Sequence, residues 1–399
     1  MLSPAQADEL IGQHLTCLPI ESLPLAQCGG AVLRENIYAE RDQPPFDRVA
    51  MDGIALDSMT VQRGARRLHI QATQAAGDPP LSLASAVACI EVMTGAVLPG
   101  GCDCVIPVEQ IEVRGSEAEL AAGTAVAAGQ NVHRRGTDTR QGALLLSAGL
   151  RLRAPEIAIA ASAGMDRIRV SSQPMLAVIS TGNELVEPGE PILPHQIRRS
   201  NAYAIVAALR QHGFQRVADD HLMDDAAELK RRLKFHLETH DVLVLSGGVS
   251  MGKLDFVPKI LDELGVQTVF HKVAQRPGKP MWFGVAGSGA TVFALPGNPV
   301  STFVCLARYV LPALFAAMGQ PAPEPEKMAL GAEIQVTPAL TSFMPVRVDV
   351  DDWGRAWAMP QPTNGSGDFT ALAGTDGFVE LPPGPNRYPK GFVTRLHRW

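Results

Sequence analysis

Asp241-Val-Leu-Val-Leu-Ser-Gly-Gly-Val-Ser250 is a short apolar run that empties into a pair of glycines. An uninterrupted apolar stretch of this length, closed by a turn signal, is the mark of a strand buried on both faces. Two further segments share the form. Met175-Leu-Ala-Val-Ile-Ser180 leads into Thr181-Gly182-Asn183-Glu184, and Thr291-Val-Phe-Ala-Leu295 leads into Pro296-Gly297-Asn298-Pro299-Val300-Ser301. Helix-length amphipathic segments follow the strands, so residues 171–318 read as an α/β unit with a mainly parallel sheet. Right-handed crossovers put the carboxyl ends of such strands on one edge, so turns ~50 to 60 residues apart in sequence should meet in one crevice.

Working outward, the texture changes on both sides. Ser3, Pro4 and Gln6 have the form of a helix start, with a short helix expected to about Thr16. From Ala31 to about Val132, strand-like runs (Leu68 to Thr73, Ala86 to Met93, Cys104 to Val108) alternate with Gly77-Asp78-Pro79-Pro80 and Pro99-Gly100-Gly101, which reads as a mostly β region. Thr302 to Met318 is apolar but carries Arg308 and Pro312, so it reads as a packed helix and not a membrane span. The proline-dense Pro321-Ala-Pro-Glu-Pro325 marks a boundary, and Val346 to Val350 begins the alternation of a small C-terminal β region.

The chain has 399 residues, 19% charged, with a formal net charge of -6, which argues against nucleic acid as a partner but leaves room for a local cationic pocket. Residues Met1 to Leu10 show no basic segment followed by an apolar run, so a cytoplasmic setting is expected. The six cysteines lack paired metal-ligand spacing apart from Cys102 and Cys104, for which no second pair lies nearby; structural thiols are expected.

Ser246-Gly247-Gly248-Val249-Ser250 has neither the lysine of a Walker loop nor the dinucleotide fingerprint. Two adjacent glycines after a buried strand let backbone N–H groups approach a phosphate, and a helix starting near Lys253 would add its positive end; a plain tight turn is the competing reading. Pro296 to Ser301 reads as a rigid recognition loop or, more simply, as a helix entry with Pro299 at the first position. Glu184, Asp224, Asp225 and Asp255 follow strand-like runs, and carboxylates gathered beside a phosphate loop are natural oxygen ligands for Mg²⁺, although any one of them taken alone reads as solvated. Lys272, Arg276 and Lys279 lie within eight positions in a proline-rich loop, where they would clamp an oxyanion or form a solvated charge run.

Seven segments together, Met51-Asp-Gly53, Met93-Thr-Gly-Ala96, Arg135-Gly-Thr-Asp138, Ser180-Thr-Gly-Asn-Glu-Leu185, Ser246 through Asp255, Arg276-Pro-Gly-Lys-Pro280 and Leu295 through Ser301, resemble in order the molybdopterin molybdenumtransferases and the E domain of gephyrin. The resemblance runs from about residue 20 to 385. It implies a homodimer of four-domain chains: a discontinuous first domain (1–41 and 135–170), an inserted β domain (42–134), the α/β domain (171–318) and a C-terminal β domain (319–399). It implies Mg²⁺-dependent insertion of molybdate into adenylated molybdopterin with release of AMP. Asp52 and Asp138 of one chain would complete a cleft holding Glu184, Asp224, Asp255, Lys272 and Arg276 of the other, with Glu184, Asp224 and Asp255 as metal ligands. Substrate would lie against Thr181, Gly182, Ser246, Gly247, Gly248, Ser250, Lys279, Pro296, Gly297, Asn298, Pro299 and Ser301, and Ser366 would face the metal oxyanion. The adenylyltransferase of the same route and acceptor molybdoenzymes are the implied protein partners.

Some positions depart from that pattern. Lys253 stands where an acid is common, Ile54 replaces a Tyr, and Arg276 a Lys. Aligned on Phe343, the arginines that the family associates with molybdate appear as Leu340 and Pro345, leaving Arg347, ~6.6 Å further along a strand on the same face, as the candidate substitute. Two other functions stay open at this level: the preceding adenylation of molybdopterin, because the α/β unit resembles that enzyme too, and a non-catalytic pterin-binding or scaffold role.

Overall fold

The computed structural model describes residues 1–248 and 257–399. Ser250, Asp255 and the helix start expected near Lys253 lie outside the described residues.

The α/β unit is built on β1 (Leu176–Thr181), β2 (Val217–Leu222), β3 (Val242–Ser246), β4 (Gln267–His271), β5 (Trp282–Val285) and β6 (Thr291–Leu295), in the order β2-β1-β3-β6-β5-β4. Only β5 runs against the others. Every residue of β1, β3 and β6 is buried, because helices cover both faces. The two-residue period of a strand divides them: Leu176, Val178, Val242 and Val244 pack under α1 (Ser200–Gln211) and the helical run 299–317, whereas Ala177, Ile179, Leu243 and Leu245 pack under α2 (Ala226–Thr239) and α3 (Val257–Glu263). Each of the Val, Leu and Ile side chains contributes roughly 1.5 to 3 kcal/mol through burial, and Ala177 less. Two-sided burial is why these strands read as continuous apolar runs and not as alternation.

The run 299–317 is long and apolar enough to cross a membrane by length and composition, yet 72% of it is buried against this sheet. It consists of α4 (Pro299–Cys305), a π turn (Leu306–Val310) and α5 (Leu311–Ala317). Pro312, lacking an N–H, falls just after the π turn, where a regular helical bond would be missing.

The N-terminal helix Pro4–His14 starts with the expected capping box, Gln6 N–H to Ser3 Oγ at 3.2 Å and Ser3 N–H to Gln6 Oε1 at 2.9 Å, and ends two residues before Thr16. Strand Ile20–Pro24 pairs with Arg167–Ser171, and Ile37–Tyr38 with Leu144–Leu146, so the chain leaves this region and returns to it. Between them lies a six-stranded sheet, ordered Cys104–Pro107, Gly53–Leu56, Ala88–Val92, Arg67–Gln74, Glu117–Leu120, Ile111–Arg114. Its Cys104 is buried and Cys102 half-buried, burial pushes the Cys102 thiol up to about 12, and no described His/Cys/Asp/Glu group joins them.

At the C-terminal end, Thr341–Val350 pairs with both Ala356–Pro360 and Gly377–Leu381, and the ladder continues through Lys327–Leu330 and Val393–Arg398 until it closes. The alternation visible from Val346 is the second half of that longer strand, whose sequence signal Pro345 interrupts. Gln275–Arg276, from the cationic loop of the α/β unit, adds in parallel to Thr341–Ser342, so that loop is also an edge of the C-terminal barrel.

Candidate active site

At the carboxyl edge of the sheet the three turns touch. Gly247 N–H donates to Leu295 O at 3.2 Å, which ties β3 to β6. Gly247 has φ +99°, and a Cβ on it would stand 2.9 Å from Thr181 O, at the end of β1; a Cβ on Gly297 would stand 3.6 Å from Gly247 Cα. Only glycine allows the β3 turn to lie this close to β1. Thr181, 4% exposed, has a buried hydroxyl with no hydrogen-bond partner among the described residues, directly beneath Gly247 and Gly248.

The acids gather at one corner of this crevice. Asn183 N–H donates to Asp224 Oδ2 at 3.3 Å and Asp224 N–H to Asn183 Oδ1 at 2.9 Å, which ties Asp224 to the residue before Glu184, whose exposed carboxylate folds over Gly182. Asp225 is used otherwise: its carboxylate accepts from Glu228 N–H at 2.8 Å and caps α2. With Asp255 outside the described residues, no described group of three or more His, Cys, Asp or Glu is placed to hold a metal ion.

The β6 loop also borders a second space. A cleft of about 840 Å³ lies between the α/β unit and the C-terminal barrel, with Arg276, Lys279, Pro296, Asn298 and Ser301 on one wall and Ser342, Phe343 and Ser366 on the other. Asn298 Nδ2 donates to Ser366 Oγ at 2.7 Å, and Val300 N–H to Ser366 O at 3.0 Å, so the Gly-Ser turn is latched onto the loop. Pro299 opens α4 as the helix-entry reading expects, while Asn298, its N-cap, turns its amide toward Ser366 and makes no side-chain cap, the Val300 N–H of the first turn being taken by Ser366 O instead.

The cationic loop divides. Arg276, with Nη1 3.4 Å from Thr337 Oγ1, and Lys279 are exposed on the cleft wall; Lys272, at the end of β4 with φ +76° and its N–H on Met281 O at 2.9 Å, is not part of that lining. Leu340 and Pro345 do line the cleft. Arg347 does not: its guanidinium pairs with Asp349 at 2.6 and 2.8 Å, so the expectation that it would stand in for a cation at position 345 is corrected.

Asp52 and Asp138 sit in other units. Asp52 accepts from Thr94 Oγ1 at 2.7 Å and Thr94 N–H at 2.6 Å, bonds that hold its carboxyl below the usual range. Asp138 is exposed and its N–H donates to Gln43 O at 2.9 Å. No described hydrogen bond or ion pair joins either carboxylate to the sheet edge within one chain.

Two residues behind the crevice were not singled out from sequence. Buried Arg199 bonds Glu187 at 2.6 Å, Ser180 Oγ at 3.2 Å and the carboxylate of Asp219. Asn201, in the first turn of α1, sends Nδ2 to Ser246 Oγ (2.9 Å), Gly297 O (2.8 Å) and Thr302 Oγ1 (3.2 Å). The only local signal is a polar Arg199-Ser200-Asn201 helix start, which reads as ordinary capping chemistry.

A glycine-lined crevice on a parallel-sheet edge, beside a cleft walled by cations and hydroxyls, is the arrangement of a ligand-binding α/β protein, and residues 177–316 match the model described as "Probable molybdopterin binding domain". Residues 2–164 match the MoeA N-terminal region (domain I and II), and residues 327–393 the MoeA C-terminal region (domain IV). The chain is 38% identical over 400 residues, covering 100% of both chains, to the molybdopterin molybdenumtransferase of Synechocystis sp., and 36% identical to that of Synechococcus elongatus over 96% of each. The crystal structure of the molybdopterin biosynthesis moeA protein from Pyrococcus horikosii superposes with a TM-score of 0.82 at 30% identity, covering 100% of this chain and 99% of that one. The chain therefore belongs to the molybdopterin molybdenumtransferase family, transferases of molybdenum-cofactor biosynthesis.

Proposed function

We propose that this chain inserts molybdate into adenylated molybdopterin in the cytoplasm, with Mg²⁺ as cofactor, the pterin–AMP phosphoanhydride breaking and AMP leaving. The observation that carries the reading is the shared Pro296–Ser301 loop, whose one side faces the glycine crevice and whose other side faces the cationic cleft. A diphosphate lying over Gly247 and Gly248, with Ser246 and Ser250, would be contiguous with an oxyanion held by Arg276, Lys279, Ser301 and Ser366.

The residues fit Mg²⁺. Its habit is to take one or two carboxylates and fill the remaining positions with water and substrate phosphate, and Glu184 and Asp224 supply two oxygen donors at one corner without a closed protein cage. Asp255 is assigned as a third. The ion supplies neutralisation of charge on the phosphate oxygens. The chain supplies the rest: Thr181, Gly182, Gly297, Asn298 and Pro299 shape and rigidify the diphosphate seat, Arg276, Lys279 and Lys272 offset negative charge, and the fixed loops align the reacting groups. Asp52 and Asp138 reach the site from a second copy of the chain, which accounts for two exposed acids, the first with its carboxylate held by Thr94, that have no partner among the described residues of their own chain's α/β unit. The adenylyltransferase would deliver the substrate and an apo-molybdoenzyme would receive the product.

The test is to supply adenylated molybdopterin, Mg²⁺ and molybdate, and to measure AMP release together with activation of a cofactor-free molybdoenzyme. Both should appear. Formation of adenylated pterin from Mg-ATP and molybdopterin would instead assign the adenylation step, and binding without turnover would assign a scaffold.

A further inference from the structure

We propose that Asn201 is a positioning residue for this reaction: its side-chain amide fixes the distance between the Gly247–Gly248 turn and the Pro296–Asn298 loop and orients the Ser246 hydroxyl as a donor toward the substrate phosphate. The inference rests on the function proposed above.

The geometry supports both halves of that statement. Asn201 stands on α1, yet its Nδ2 reaches acceptors at the ends of β3 and β6, so one amide ties this helix to two of the three turns that form the crevice. Nδ2 carries two hydrogens. The two nearer acceptors, Gly297 O and Ser246 Oγ, take them, and Thr302 Oγ1 at 3.2 Å shares one. Thr302, fully buried, donates its own hydrogen to Pro296 O at 2.6 Å, so the loop carbonyls on both sides of Pro296–Gly297 are held from below. On its outer side the same loop is latched to Ser366 through Asn298.

The orientation of the amide is dictated by the loop. Gly297 O can only accept, so nitrogen must face it, and Asn201 Oδ1 is left buried with no hydrogen-bond partner among the described residues. Polarity follows as well. Ser246 Oγ, 4% exposed in residue terms, accepts from Asn201 and so keeps its own proton to give, which is the sense a phosphate oxygen requires.

Three single variants of the full-length protein and one double variant test this by steady-state AMP release from adenylated molybdopterin, alongside thermal unfolding. Asn201→Ala should lower kcat about 30- to 100-fold with KM within threefold, because displaced loops still bind but misalign. Asn201→Asp, the same shape with acceptors in place of donors, should lose at least a further tenfold by claiming the Ser246 proton. Thr302→Val cuts the same clamp from its other end, so the Asn201→Ala/Thr302→Val double variant should be no slower than the slower single one. Multiplicative losses in the double variant, Asn201→Asp as active as Asn201→Ala, or a kcat for Asn201→Ala within twofold of wild type would each overturn the proposal. If Asn201→Ala does not fold, Thr302→Val must still show the kcat loss at unchanged KM. A wild-type protein that releases no AMP would instead remove the underlying function, whatever the variants do.

Discussion

Replacing Gly247 by alanine should damage catalysis in a way that a matched glycine elsewhere in the sheet does not. At φ +99°, an alanine is strained by about 1 to 3 kcal/mol. The new Cβ would also press on Thr181 O at 2.9 Å, a backbone atom that cannot rotate away, so the turn must lift off β1. The strain and contact together are on the order of 2 to 4 kcal/mol, and restoring the seat in the productive complex would require that energy, lowering kcat/KM about 30- to 1,000-fold. Gly289 is the control. It lies in the β5–β6 hairpin at the opposite edge of the sheet with φ +91°, but a Cβ there meets nothing within 4 Å. Gly289→Ala should lower the melting temperature through strain alone and leave kcat/KM within twofold. Parallel AMP-release kinetics and thermal unfolding on the two variants decide the matter; equal kinetic losses in both, or none in Gly247→Ala, would refute the claim that close approach of the β3 turn to β1 builds the phosphate seat.

Mixing inactive Asp52→Ala and Glu184→Ala chains should restore measurable AMP release through heterodimers with one intact site, and no recovery after demonstrated subunit exchange would count against a shared cleft. Arg347→Ala should leave the molybdate concentration for half-maximal rate within twofold, because that arginine is tied to Asp349 outside the cleft, whereas Lys279→Ala should raise it tenfold or more. Arg308, 6% exposed, holds Asp8 of the N-terminal helix at 2.7 Å and Glu380 of the barrel at 3.1 Å; Arg308→Met should cost roughly 2 to 4 kcal/mol in urea unfolding, somewhat less than a fully buried pair because Asp8 is partly solvated. Burial opposes ionisation of Glu380, but the His397 hydrogen bond and the Arg308 charge outweigh it and hold its carboxyl below the ordinary value. Its stabilisation is therefore complete above the ordinary glutamate value and disappears as pH falls through the lower folded one, so below about pH 4.5 the urea midpoint of wild type should fall more steeply than that of Glu380→Gln. Burial holds Asp8 above its ordinary value and acts in the opposite sense, which is why the comparison is with the single variant and not with neutral-pH wild type alone.

How far the sequence could be read depends on the range of the interactions involved. β1, β3 and β6 were legible because two-sided burial demands a continuous apolar run, and the turns because glycine and proline impose backbone geometry within two or three residues. The N-terminal helix was legible for the same reason, its cap being a contact between positions 3 and 6. The barrel strand was only half legible, since Pro345 breaks the pattern within a strand that closure nevertheless extends to Thr341.

The residues around the crevice divide the same way. Motifs named the glycines, the acids and the cationic loop, but nothing local distinguishes Asn201 from a helix-start asparagine, or tells that Arg276 edges a barrel while Lys272 stays off the cleft wall. Arg347 shows the converse: the strand period put it on the right face, and its place along the strand relative to the cleft is a matter of distance between two units.

By itself, then, the order of residues determined which segments are strands, where the chain turns tightly and which family chemistry it carries, because those follow from contacts a few positions long and from motifs spelled out in one stretch. Which side chains share the crevice, and which acids wait on another unit, was decided only when crossover connections and barrel closure brought positions 181, 201, 247, 297 and 366 together. Distances of that kind are set by packing of whole layers, and no local pattern encodes them.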